Sequence, residues 1–299
     1  PELLFDMQML AYLGSSSQGY VHGLNHAKKL QSMAQSTVQH FCAAWAMGNT
    51  LFWMGRFHEA RGWFETNRRL GRSLSLTQRM THMASDLAVF SGGQLAWLFW
   101  FIGEHDRSME TIEQARAEAL QSATRQDLCI VQCFHALVVW CRRDPEAMLT
   151  TAGTAWTVAE SEGLQFWHGI AGMLVVLARA HAGLPVDIAA VTSGTTALQV
   201  GYRAATTTEA WFAISVLCAT GNHASALALA EQALSVAHLS EHQFCCMDIW
   251  RLKAQALSEL GRPEEAVGAG RQAGALARQA GADGWLAQWG GTLPSPDGR

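Results

Sequence analysis

The sequence predicts an all-α fold, a right-handed superhelical array of about seven antiparallel helix pairs, an α-solenoid. Three observations carry this. A helix–turn–helix pattern recurs with a period near 40 residues. Apolar positions between the turns follow helical periodicity, and short β-branched runs such as Val175-Val176 sit inside that periodicity instead of forming a strand series.

Taken in order, a first copy turns within Gly14-Ser15-Ser16-Ser17-Gln18-Gly19, with the turn set at Gly14. The clearest unit is Leu51-Phe52-Trp53-Met54-Gly55-Arg56-Phe57-His58-Glu59-Ala60, an aromatic helix end, a glycine turn and an alanine five residues later. Ala226 stands five past Gly221 and Ala266 five past Gly261. Weaker copies place Ser108 after Gly103, Ala147 after Arg142 and Ile188 after Gly183. Turns at 14, 55, 103, 142, 183, 221 and 261 are separated by 41, 48, 39, 41, 38 and 40 residues. The long second unit implies an insertion near Ser73-Leu74-Ser75-Leu76-Thr77, and Arg142 departs from glycine.

Glycine accepts the left-handed conformation that ends a helix, and a small residue five positions on lets the next helix pack closely. Asp144-Pro145-Glu146 and Arg262-Pro263-Glu264-Glu265 place proline at a first helical position with acids in the first turn. The repeat domain is set at 1–284 and residues 285–299, with their Gly290-Gly291 and Pro294-Ser295-Pro296 stretches, read as a disordered tail. The start at Pro1, directly in a helical pattern, reads as an excerpt of a longer polypeptide whose neighbours hold an effector.

Composition narrows function. The chain has 299 residues, 49% of them hydrophobic and only 15% charged, with 12 tryptophans. A net charge of −4 without a Lys/Arg run argues against direct nucleic-acid contact by this segment. The longest apolar run, Leu95 to Ile102, is far short of the ~20 residues of a membrane helix, so the reading is a soluble, cytoplasmic protein. Seven cysteines, Cys42, Cys129, Cys133, Cys141, Cys218, Cys245 and Cys246, lack framework spacing and read as reduced thiols.

Catalytic motifs are absent: there is no phosphate-cradling Gly-x-x-x-x-Gly-Lys-Ser/Thr stretch, no Gly-x-Ser-x-Gly, and His58-Glu59 lacks a second histidine. His238-x-x-x-His242 with Cys245-Cys246 is the one metal-like cluster, and Cys129, Cys133 and His135 are helix-spaced core residues. No enzyme activity, cofactor or metal is assigned.

The Gly55-x-Phe57-x-x-Ala60 and Gly221-x-x-x-x-Ala226 signatures resemble tetratricopeptide repeats, whose usual period is about 34 residues. Longer units, as in Gly93 to Gly103 and Trp250 to Leu257, resemble those C-terminal to signalling-ATPase modules in bacterial regulators, including the maltose-type transcription activators and cyclase-bearing proteins. The resemblance spans residues 3 to 284 and implies a sensor or interaction domain. It also implies that the first helix of each pair lines a concave face. Counting back from each turn gives Cys42, Trp45, Asn49, Phe52 and Trp53, then Phe90, Gly93, Trp97, Trp100 and Phe101, then Cys129, Gln132, Ala136, Val139 and Trp140. Later units give Ile170, Met173, Leu177, Ala180 and His181, then Thr208, Trp211, Ser215, Cys218 and Ala219, and last Asp248, Arg251, Gln255, Ser258 and Glu259.

Single aromatics in such stripes are ordinarily interhelical core. Yet half of the tryptophans gather on this one face. The expected ligand contacts are therefore Trp45, Asn49, Trp53, Trp97, Trp100, Phe101, Gln132, Trp140, Met173, His181, Trp211 and Arg251. Their expected occupant is a small-molecule signal or a partner peptide, with an N-terminal ATPase or effector module of the same polypeptide as a further partner. A scaffold for a partner helix or for self-association is the alternative.

Overall fold

A computed structural model of the chain describes residues 2–15, 19–122, 124–191 and 203–293. Every regular element among them is helical: α1 Glu2–Gly14, α2 Tyr20–Met33, α3 Thr37–Trp53, α4 Phe57–Gly71, α5 Leu76–Arg79, α6 Leu87–Phe101, α7 His105–Leu120 and α8 Arg125–Cys141. There follow α9 Pro145–Ser161, α10 Gln165–His181, α11 Arg203–Ala219, α12 His223–Ser240, α13 Cys246–Glu259, α14 Pro263–Ala280, α15 Asp283–Trp289 and a 3-10 turn at Gly290–Thr292. Successive helices pack as antiparallel neighbours, α3 on α4, α6 on α7, α8 on α9, α11 on α12 and α13 on α14, the all-α solenoid that the repeat period implies.

The turns within pairs share one construction. Gly55, Gly103, Gly183, Gly221 and Gly261 all have positive φ, and the next residue's N–H reaches back to the carbonyl five positions earlier, as Arg56 does to Leu51 at 2.9 Å. The fourth pair corrects the sequence register by one residue. Arg143, not Arg142, is left-handed, with φ 60, and fully buried Met148, not Ala147, takes the closely packed position. Turns at 103, 143 and 183 are thus 40 residues apart on each side. The first turn also differs: α1 runs through Gly14, and the positive φ falls at Gly19, ahead of α2. Residues 16–18 lie outside the described residues.

Two sequence signals match the structure closely. The long second unit contains α5, started by a capping box in which Ser75 and Gln78 satisfy one another's backbone N–H groups. Pro145 stands in the first turn of α9, whose Asp144 side chain accepts from Ala147 N at 3.0 Å.

Inner and outer helices differ in how much surface they bury. Of α6, only Phe90 is not fully buried, because this helix is packed by α3, α4, α7, α8 and α15. Its neighbour α7 buries only Ser108, Ile112, Ala115 and Ala119, a single stripe. Inner helices α3, α6, α8, α10, α11 and α13 touch in sequence along the concave side.

The C-terminal segment curls back onto the middle of the array. Trp285 is buried, Gln288 Nε2 donates to the Cys141 carbonyl at 3.0 Å, and Trp289 lies under the guanidinium groups of Arg143 and Arg251 at 4.1 and 3.9 Å. The tail expected from residue 285 is therefore corrected up to residue 293: two indoles find apolar and cationic seats, so the chain stays helical past 284. Residues 294–299 lie outside the described residues.

Gly284 makes this docking possible, since a Cβ there would collide with the Trp100 carbonyl oxygen and with Gly103. Gly284→Ala is expected to destabilise the protein by about 1–3 kcal/mol. Circular-dichroism melting checks it, and an unchanged midpoint would disprove the close approach.

Candidate functional site

The concave face is not an open groove. The connection between α12 and α13 passes through left-handed Glu241, φ 55, and then drives His242 and Phe244 inward. Phe244 is fully buried, with ring centroids 4.5 Å from Phe52, 4.6 Å from Trp97, 5.2 Å from Phe101 and Trp53, and 5.9 Å from Trp211. Its N–H donates to the Trp53 carbonyl at 3.1 Å. A loop of the sixth-to-seventh junction is thereby pinned on the second and third pairs, and it divides the concave side into two chambers.

The first chamber is a cavity of about 370 Å³. Its walls are Tyr12 and Tyr20 from the first pair, Trp45, Asn49 and Trp53 from α3, Phe90 and Trp97 from α6, and Ile130, Cys133, Phe134 and Leu137 from α8. Phe166, Trp167 and Ile170 of α10 and Thr208, Glu209 and Phe212 of α11 complete it. This size and apolar character are those of a small-molecule site. Asn49 is already engaged: its Oδ1 accepts from Trp53 Nε1 at 3.0 Å and Gln94 Nε2 at 2.8 Å, and its Nδ2 donates to Tyr12 Oη at 2.9 Å. It therefore fixes the orientation of the walls. Among the described lining residues, Trp45 Nε1, Trp97 Nε1 and Glu209 Oε2 are buried without a hydrogen-bond partner. Burial pushes the Glu209 carboxyl up to about 7.

The second chamber, also about 370 Å³, has Trp100, Phe101, Trp140, His181, Trp211, Arg143 and Trp289 among its walls and Asp248 at its hub. Asp248 accepts from Trp211 Nε1 at 2.7 Å, Trp285 Nε1 at 3.0 Å and both donors of Arg251, at 2.6 and 3.0 Å. Burial alone would raise this carboxyl, but the Arg251 guanidinium and the two indoles hold it below its ordinary value. His181 Nε2 lies 3.0 Å from Ser215 Oγ, and burial, with Arg251 nearby, lowers its pKa.

Of the residues expected on this face, Trp45, Asn49, Trp53 and Trp97 line the first chamber. Trp100, Phe101, Trp140, His181, Trp211 and Arg251 line the second. Trp97 and Trp211 stack across the boundary, 6.0 Å apart and 14° from parallel. Gln132 and Met173 line neither: Gln132 is buried in α8 and Met173 packs half-buried against the core. Counting back from turns missed Phe244, Trp285 and Trp289, which lie outside the first helices, Tyr12, because the first pair was not counted, and Glu209, which falls off the counted positions. A carboxylate between counted Thr208 and Trp211 was the available signal for Glu209.

The metal-like cluster comes apart. Helix α12 ends at Ser240, His238 is exposed and His242 is fully buried. Among the described residues no group of three or more His, Cys, Asp or Glu is placed to hold a metal ion. The seven cysteines are free, and burial pushes the Cys246 thiol up to about 12 and raises Cys245 well above its ordinary value, which suits these two to packing and not to nucleophilic attack. Among the described residues no helix is long and apolar enough to cross a membrane.

No protein-family model matches the chain, and no curated protein matches it. Among solved structures, that of a Rap protein complexed with competence and sporulation factor is similar over 98% of this chain and 88% of that one, with a TM-score of 0.62 and 11% sequence identity. The likeness is one of fold. That shared fold is an all-helical array of packed helix pairs.

Two outcomes test the closure. Phe244→Ala is expected to cost about 3–5 kcal/mol, the usual range for a buried phenylalanine, measured by denaturant unfolding; a loss below about 1 kcal/mol would show that the loop is not seated. His242 has both ring nitrogens buried without partners, and burial lowers its pKa from 6.5 to about 3. The unfolded chain takes up that proton first, so the stability this neutral ring permits is complete above pH 6.5 and is lost as pH falls from 6.5 towards 3. The slope is about 1.4 kcal/mol per pH unit in that window. His242→Phe is expected to remove this part of the acid sensitivity, read as the difference between the two pH–stability curves.

Proposed function

We propose that this chain is the ligand-sensing repeat domain of a regulatory protein, with an apolar small-molecule signal received in the first chamber. The observation that carries the proposal is the chamber itself: an aromatic cavity of about 370 Å³, walled by inner helices of five pairs, with no Lys or Arg among the described lining residues. Core packing ordinarily leaves few voids larger than a water molecule, so a cavity of this size is not explained by stability. The repeats resemble the arrays that follow signalling-ATPase modules in bacterial regulators, and the similar fold of the Rap protein was captured with a bound factor. In this reading a cytoplasmic effector or ATPase module elsewhere in the polypeptide responds to chamber occupancy, because a ligand favours whichever array curvature it binds better.

A second reading, a docking scaffold for a partner protein, rests on α1. Leu3, Leu4, Met7 and Leu10 are 71, 60, 58 and 69% exposed, on the side of the helix away from buried Phe5, Met9 and Tyr12. An apolar helix face of this kind suits a partner helix.

Calorimetry against a panel of apolar small molecules tests the first reading. Ile170→Trp, which fills the chamber, and Trp45→Ala, which removes a wall, are each expected to weaken the best binder about ten-fold or more, a loss of about 1.4 kcal/mol. Affinity unchanged in both variants would refute the chamber. Leu3→Ser with Leu10→Ser, and the chamber intact, separates the second reading: if size-exclusion chromatography shows an assembly that these substitutions dissolve, α1 is an interface.

A further inference from the structure

Among the described residues, Glu209 is the only charged side chain lining the first chamber. It projects from α11 into aromatic surroundings, is 3% exposed, and keeps Oε2 without a hydrogen-bond partner. A buried carboxylate oxygen left unmatched is costly to the folded protein, so evolution ordinarily matches it with a donor. The described residues supply none to that oxygen. From this we infer that the chamber recognises a cationic ligand, a protonated amine carried on an apolar body, with Glu209 as its anchoring anion. This rests on the reading of the chamber as a ligand site and adds the chemical class of the ligand.

Three features of the chamber favour a cation over the alternatives. No Lys or Arg is among the described residues lining the chamber, and a carboxylate or phosphate would meet Glu209 as a like charge. Trp45, Trp53, Phe90 and Trp167 line the cavity, and aromatic faces attract cations, the more so where water is excluded. The volume of about 370 Å³ admits an apolar body well beyond a lone ammonium ion.

The protonation of the site agrees. The other titratable side chains lining the chamber stay uncharged near neutrality: burial raises Tyr12 and Tyr20, and Cys133 is raised by its hydrogen bond with Cys129 and by burial. Behind Tyr20, burial keeps His242 neutral. Glu209, held near 7, is thus the group whose charge changes in the physiological range, and an arriving ammonium takes the place of its proton.

A matched set of probes tests this: 4-phenylbutylamine, 4-phenylbutanol and 4-phenylbutyrate share one apolar body and differ in charge. By titration calorimetry at pH 8, the amine is expected to bind about ten-fold or more tightly than the alcohol, with the butyrate weakest. Glu209→Gln is expected to bring amine and alcohol within about two-fold of each other, through loss of amine affinity, with the melting temperature confirming the fold. Amine affinity in the wild type is also expected to fall by about ten-fold per pH unit below 7, and to lose that dependence in Glu209→Gln. Equal binding of amine and alcohol by the wild type, or an amine preference that survives Glu209→Gln, overturns the assignment of Glu209 while leaving the chamber as a ligand site. If none of the three binds, while Ile170→Trp and Trp45→Ala also leave the panel's best binder unaffected, both the cation assignment and the chamber reading fall.

Discussion

The seat of Phe244 is the constraint on which the architecture of the concave face depends. In a repeat array each unit normally touches only its neighbours, and curvature accumulates from small rotations between them. Here a loop from the junction of α12 and α13 crosses the inside of the array, and its phenyl ring is enclosed by Phe52, Trp53, Trp97, Phe101 and Trp211. The backbone bond to the Trp53 carbonyl fixes the approach as well as the ring. Glu241 accepts a left-handed conformation, which costs a non-glycine residue about 1–2 kcal/mol, and the burial of Phe244 outweighs it. Helix α15 adds a second crossing by docking on α6, so the ends of the array are tied to its middle.

This crossing gives the two chambers different chemistry. In the second, the polar groups at the centre are matched: Asp248 has four donors from Trp211, Trp285 and Arg251, and Arg251 also lies over Trp289. A satisfied buried network specifies a structure, here the position of α15 relative to α11 and α13. The first chamber has the opposite character. Its Asn49 is engaged through both oxygen and nitrogen, but Glu209 Oε2, Trp45 Nε1 and Trp97 Nε1 have no partner among the described residues. Unmatched polar atoms in a folded interior are uncommon, and three of them belong to residues that line this one cavity.

Much of this was written into the sequence, and the rest was hidden for physical reasons. Helix pairs, the α5 insertion and the inner-face tryptophans could be read because helical period and turn chemistry are local. The one-residue error at Arg142 arose because arginine gives no sign of left-handed backbone; only the burial of Met148 in place of Ala147 reveals the register. Phe244 and α15 escaped because their placement depends on contacts between distant segments. Trp285 and Trp289, beside a glycine-rich and proline-rich end, resemble a tail until their partners Asp248, Arg143 and Arg251 are in place. Gln132 fell on the counted face of α8, yet side chains at the edge of a helical stripe divide between groove and interhelical contact, and this one lies inside the packing.

On the proposed reading, the geometry also sets how occupancy of the first chamber would be felt elsewhere. Trp53 and Trp97 are walls of that chamber and are in ring contact with Phe244. Trp97 in turn stacks on Trp211, whose indole N–H is held by Asp248 in the second chamber. A ligand that presses on Trp53 therefore acts on the residue whose carbonyl anchors the loop, and one that presses on Trp97 acts through Trp211 on the hub that positions α15. Packed side chains shift between discrete arrangements and do not deform continuously, so this contact chain can carry a switch between array curvatures. The size of the response is bounded by the ligand's differential affinity for those curvatures, however tightly it binds to either.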